Sequence, residues 1–195
     1  MMAALMQPFQ PLLVKFGGSS ELKYVAAAES ASIRRMLVGE TLFSGLYLNE
    51  LLTRLLPKFD AVPTLFAAYG EAIELISSSV DPELALRRFE LLLLEELGYQ
   101  IQWQRDFEDR PIQETASYSY QPERGFVSGH GGDMSLVVSG VQLLTLANWQ
   151  RSGCDINDIC QAKLKGIMRL AIDQRLGGNP LKVREAVSEW RQLKE

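Results

Sequence analysis

The stretch Leu84-Ala-Leu-Arg-Arg-Phe-Glu-Leu-Leu-Leu-Leu-Glu-Glu-Leu-Gly98 decides the fold class. Asp81-Pro82 just upstream offers an N-cap and a first-turn proline, and Gly98 offers a stop. The spacing predicts a helix of about four turns. Its apolar residues fall almost all round the wheel, the pattern of a helix enclosed by neighbours. Yet Arg87 lies on the face of Leu91 and Leu94, beside Glu90, and Arg88 follows it. A cation rimmed by leucines is costly to bury without an anionic partner. Which anion answers Arg87 is the question this helix poses.

Two further helices precede it. Thr41–Leu56 is leucine-rich and stops at Pro57, and Pro63–Ser77 opens on its own proline. Short loops between the three predict packed neighbours. Beyond Gly98 the texture changes. Ile101 and Trp103, Tyr118 and Tyr120, and Phe126 and Val127 are short β-like pieces separated by Gly, Pro, Ser and charges, so residues 99–138 read as a small irregular insertion. Helix returns over Ser139–Trp149, then over Asp155–Leu176 with Asp155 and Asp158 as caps, and finally over Leu181–Leu193 after Gly177-Gly178 and Pro180. At the start, Pro11–Phe16 and Leu22–Ala26 flank the turn cluster Gly17-Gly-Ser-Ser20 and predict a hairpin. A lone hairpin is marginal in water, so it reads as the end of a larger sheet. The expected fold is mostly α with a small β part: residues 1–30 as one unit, and residues 31–195 as a helical domain carrying the insertion.

The chain has 195 residues, 47% of them apolar, and a net charge of −4. That is ample for a core and lacks the basic excess of a dedicated DNA binder. No apolar run approaches a membrane span, and the N-terminus lacks the order of a signal peptide. Cys154 and Cys160 fit neither a metal knuckle nor a redox motif, and predict two reduced structural thiols in a cytoplasmic protein.

Enzyme chemistry finds little support. There is no GxSxG, P-loop or HExxH pattern, and the single histidine, His130, sits in a glycine loop. Basic residues gather toward the C-terminus. Lys165 and Arg169 share a helix face, and Lys182 and Arg184 follow the Gly-Gly-Asn-Pro turn. They form either a solvated face or a phosphate-binding patch. Asn49-Glu50, a polar pair inside an apolar helix, calls for structural partners such as a helix terminus.

Four motifs in order carry a family resemblance: Gln7-Pro-Phe-Gln-Pro-Leu-Leu-Val-Lys-Phe-Gly-Gly18, Thr41-Leu-Phe-Ser-Gly-Leu-Tyr-Leu-Asn-Glu-Leu-Leu52, Ala85-Leu-Arg-Arg-Phe-Glu-Leu-Leu-Leu-Leu-Glu-Glu-Leu-Gly-Tyr99 and Leu176-Gly-Gly-Asn-Pro-Leu-Lys-Val-Arg-Glu185. They resemble the RecO family of bacterial DNA repair proteins, over nearly the whole chain. The resemblance implies an N-terminal OB-fold and a C-terminal helical domain without a catalytic centre. It implies a nucleoid-associated mediator of the RecF pathway that binds single- and double-stranded DNA, anneals strands, and with RecR promotes RecA loading on strands coated by the single-stranded DNA-binding protein SSB.

Two departures stand out. A complete family member carries about fifty more residues ahead of the Gln7 match, including the early strands of a five-stranded barrel and a Lys/Arg-rich stretch. This chain keeps about two strands, so the alternative expectation is a helical protein-interaction module that has lost DNA binding. Some members also carry four zinc-binding cysteines after the Gly-Tyr motif. Residues 99–138 contain none, so no metal and no cofactor are expected.

The resemblance supplies an anion for Arg87 too: the acidic, Phe-terminated tail of SSB. Arg87 would meet the carboxylate, with Arg88 secondary, while Leu91 and Leu94 face the ring. An intramolecular Arg87–Glu90 pair is the alternative. Lys165, Arg169, Lys182 and Arg184 are candidate DNA phosphate contacts.

Overall fold

The computed structural model describes residues 5–19, 21–78, 81–129 and 136–193. His130 lies outside the described residues. The fold is mostly α, with six helices and two small antiparallel sheets among the described residues.

The leucine helix, α3 (Pro82–Glu96), starts where its punctuation places it. The Asp81 carboxylate accepts from the Leu84 N–H at 3.2 Å, and Gly98, at φ 82°, turns the chain out. It packs against α1 (Glu40–Leu55), α2 (Pro63–Ser77) and α5 (Asp158–Arg175). Its all-round apolarity follows from serving two cores. Ala85, Leu86, Phe89 and Leu93 join one with α1 and α2. Leu91 and Leu94 join the other, with α4 (Gly140–Ser152), most of α5 and a three-stranded sheet. Helix α5 is shared in the same way: Leu164, Ile167 and Met168 face the sheet core, and Ile172 faces the bundle core.

The sheet is built from β3 (Ser117–Gln121), β4 (Gly125–Ser128) and β5 (Val137–Ser139), in the order β4-β3-β5. The expected pieces at Tyr118–Tyr120 and Phe126–Val127 are strands. Ile101 and Trp103 are buried in an irregular segment instead. Strand β5 and the start of α4 meet at Ser139, whose side chain and Gln142 form a reciprocal capping box. Gly140 is held close there: a Cβ would lie 1.9 Å from the Gln113 carbonyl oxygen.

Helix α5 starts later than expected. Its N-cap is Asn157, whose side chain accepts from the Cys160 N–H at 2.9 Å, while Asp158 lies in the first turn. Asn157 has the extended backbone that an N-cap requires. After Gly177-Gly178, both at positive φ, α6 (Lys182–Gln192) returns across α1. The N-terminal hairpin pairs β1 (Leu12–Gly17) with β2 (Tyr24–Ser30). Strand β2 begins at Tyr24 and runs on through the alanines to Ser30, because the ladder to β1 needs backbone groups rather than alternating side chains. Phe9 ties this region to α1. Its ring and Leu37 press on Gly45, where a Cβ would come within 2.7 Å of both.

Candidate functional site

Helices α1, α3, α5 and α6 enclose an open groove of about 660 Å³. Its apolar lining comes from Phe43 and Tyr47 of α1, Leu86 of α3, and Val183 and Val187 of α6. Arg87, Lys165, Arg169, Arg184 and Arg191 also line it. Four of these cations come from the sequence-derived candidates, taken there as two separate sites. The structure brings them together around one cavity.

The cations differ in depth. Lys165, Arg169 and Arg191 are exposed and lie at the rim, paired with Glu83 at 2.9 Å, Asp173 at 3.7 Å and Glu40 at 3.8 Å respectively. Exposed pairs of this kind contribute about 0–1 kcal/mol each and are readily exchanged for another anion. Arg184 is less exposed and also meets Asp173. Arg87 is the deepest, with a side chain 9% exposed.

Arg87 is answered from within its own helix. Its Nη1 lies 2.7 Å from Oε2 of Glu90, which is fully buried. Tyr47 Oη donates to the other carboxylate oxygen, Oε1, at 2.6 Å. Burial pushes the Glu90 carboxyl above the usual carboxylate range, against the opposing pull of Arg87 and of the Tyr47 hydrogen bond. Burial and the neighbouring carboxylate push the Tyr47 phenol up as well. The Arg87–Glu90 contact is close but poorly aligned, so Arg87 Nε and Glu90 Oε2 are buried without a hydrogen-bond partner. The guanidinium therefore has donor capacity the protein does not use.

The other candidates lie elsewhere. Leu91 and Leu94, 6% and 1% exposed, belong to the sheet-side core and do not line the groove. Arg88 is exposed, its guanidinium 5.6 Å from the centroid of the Trp149 ring. Lys182 contributes a backbone N–H rather than its ammonium. Together with Val183 N–H it donates to the Glu50 carboxylate, both at 2.9 Å. Glu50 thus caps α6 from α1, the helix-terminus role expected of a buried polar pair, while Asn49 Oδ1 accepts from Tyr69 at 2.7 Å. Burial raises the Glu50 carboxyl, but the two N–H donors and Arg54 outweigh it and hold the group low. Arg54 also donates to the carbonyls of Asn179 and Pro180, clamping the turn that aims α6.

Phe43, Tyr47, Val187 and Arg191 were not foreseen. The available signal was positional: Phe43 and Tyr47 stand one turn apart on α1, and Arg184, Val187 and Arg191 recur on one face of α6. Among the described residues, no group of three or more His, Cys, Asp or Glu side chains could hold a metal ion, and no helix is long and apolar enough to cross a membrane.

Residues 36–185 match the family described as "Recombination protein O C terminal". The chain is 43% identical over 184 residues to the DNA repair protein RecO of Pseudomonas paraeruginosa, covering 93% of this chain and 76% of that protein. It is 41% identical over 196 aligned residues to the DNA repair protein RecO of Klebsiella pneumoniae, covering 95% of this chain and 74% of the relative. The family match spans α1 to α5, the first residues of α6 and the sheet-bearing insertion. The chain belongs to the RecO family of DNA repair proteins.

Proposed function

We propose that this chain is a non-enzymatic recombination mediator of the RecF pathway, and that its groove docks the acidic, Phe-terminated tail of SSB. The observation that carries this reading is the groove itself, an apolar lining surrounded by five cations at graded depth. Phe43, Tyr47, Leu86 and the two valines offer a surface for a phenyl ring. Arg87 suits a carboxylate close to that ring, and the exposed cations suit more distant acids. Leu91 and Leu94 support α3 from behind. In the cytoplasm, docking of this kind would bring the protein to SSB-coated single strands, where it anneals DNA and, with RecR, promotes RecA loading.

One observation favours the narrower alternative of a protein-interaction module. Lys165, Arg169 and Arg184, three of the four residues considered for DNA phosphates, line the same groove and each has an acidic partner, while Lys182 lies outside it.

Fluorescence anisotropy with a labelled, aspartate-rich peptide ending in proline and phenylalanine tests the groove. Arg87→Lys keeps the charge beside Glu90 but loses the planar fork, and should weaken binding about tenfold. Arg169→Glu at the rim should weaken it with a flatter salt dependence. Unchanged affinity in both variants would place the peptide elsewhere. Titration with single-stranded DNA at two salt concentrations separates the two readings: a steep salt slope supports the mediator, and no binding at low salt supports the interaction module.

A further inference from the structure

The fully buried Glu90 is unexplained by anion binding alone. A carboxylate behind the deepest cation of an anion site opposes the ligand. Nor does stability account for it, since a buried ion pair is commonly matched or bettered by apolar residues of the same volume. Its geometry points to another role. Glu90 has no solvent access, its contact with Arg87 is poorly aligned, and its firm hydrogen bond comes from Tyr47 rather than from Arg87.

We propose that Glu90 is a proton-linked positioning residue: when a ligand carboxylate takes Arg87, Glu90 gives up its counter-ion and binds a proton from solvent. This rests on the groove being an anion-binding site. In the empty groove the ion pair with Arg87 favours the ionised form of Glu90, against the effect of burial, and holds Arg87 in place. A ligand carboxylate on the guanidinium adds a second negative charge beside a carboxyl that burial leaves poorly solvated. The ionised form of Glu90 is then disfavoured, and the neutral acid keeps the Tyr47 O–H bond on its carbonyl oxygen. The charged and titratable groups coupled to Glu90 are Arg87 and Glu83 on its own helix, Tyr47 from α1 and Arg184 from α6. Lys165 and Arg169 of α5 line the groove farther out. Burial already raises Glu90 in the empty groove, and losing the Arg87 counter-ion acts in the same direction.

The linkage has a definite sign. A group that gains a proton on binding makes affinity rise as pH falls, and the effect ends once the group is protonated in the free protein as well. Acids on the ligand that become paired to cations shift the other way, but they titrate well below neutrality.

Isothermal titration calorimetry of the full chain decides the matter, using the same aspartate-rich, Phe-ended peptide in two buffers of different ionisation enthalpy between about pH 6 and pH 8. The wild type should take up protons on binding, with affinity rising several-fold toward the acid end. Glu90→Gln should bind with no uptake and a flat pH profile, its melting temperature confirming a folded protein. A proton count of zero in the wild type overturns the inference without recourse to any variant. Uptake that persists in Glu90→Gln overturns the assignment to Glu90. Absence of peptide binding by the wild type sinks the groove reading itself, and this inference with it.

Discussion

The two cores that share α3 and α5 are built differently. The sheet-side core holds five aromatic side chains, Trp103, Tyr118, Tyr120, Phe126 and Trp149, packed with aliphatic ones between strands and helices. The bundle-side core is leucine-rich, and at its edge it admits an arginine, a carboxylate and a phenol, where it opens into the groove. Polar groups inside a core cost free energy unless paired. Both sides bury some: Asp106, paired with Arg110, and Ser119 lie on the sheet side, while the buried Arg87–Glu90 ion pair lies on the groove side. The sheet-side core holds α3 from behind, and the edge of the bundle-side core presents Arg87 from its front.

The largest effect should come from the sheet-side core. Phe126→Ala removes a side chain 1% exposed and should cost about 3–5 kcal/mol, read as a lower urea midpoint. A loss under about 1 kcal/mol would mean that this core contributes little to the stability of the fold. Next comes the polar edge. Arg87→Ala strands Glu90 and should cost about 3 kcal/mol at neutral pH. The loss should shrink as pH falls, because the folded-state carboxyl is raised by burial, and a protonated Glu90 has no missing counter-ion. The double variant Arg87→Met with Glu90→Leu should restore most of the stability while abolishing peptide binding, which separates the contribution of the pair to folding from its contribution to the site.

A smaller effect is expected at the joint between α1 and α6. Glu50→Gln weakens the cap on Lys182 and Val183 and should cost about 1 kcal/mol. Glu50 is held below its ordinary value, so the unfolded chain takes up its proton first as pH falls. Its contribution is full above the ordinary carboxylate range and is lost as pH drops through the lowered folded value. Urea midpoints across that acid window should therefore fall less steeply in the variant. The smallest effect belongs to the hairpin, which takes part in neither core apart from its Phe9 anchor. Phe16 is 64% exposed, and Phe16→Ala should change stability by no more than about 0.5 kcal/mol.

Much of this architecture was legible in the residues. Asp81-Pro82, Pro63 and Gly98 mark helix ends through interactions spanning a few positions, so α2 and α3 lie where their punctuation places them. The start of α5 differs from the expected one because Asp155, Asn157 and Asp158 can each cap a helix there, and only the backbone selects Asn157. Strand β2 was misplaced because alternation is a weak guide where neither face is fully buried.

The site was legible in parts. Arg87, Lys165, Arg169 and Arg184 could be named from charge and spacing, but not as members of one groove. The sequence by itself determined the helix pattern, the family and the cations, since each depends on residues near one another in the chain. Tertiary structure alone decided that Leu91 and Leu94 face the other core, that Tyr47 joins Glu90 behind Arg87, and that Phe43, Tyr47 and Arg191 complete the groove. Tyr47 and Glu90 are 43 residues apart, and no local rule joins them. Only the packing of α1 on α3, and the exclusion of water that accompanies it, turns a carboxylate and a phenol into the partners that set the charge of Arg87's surroundings.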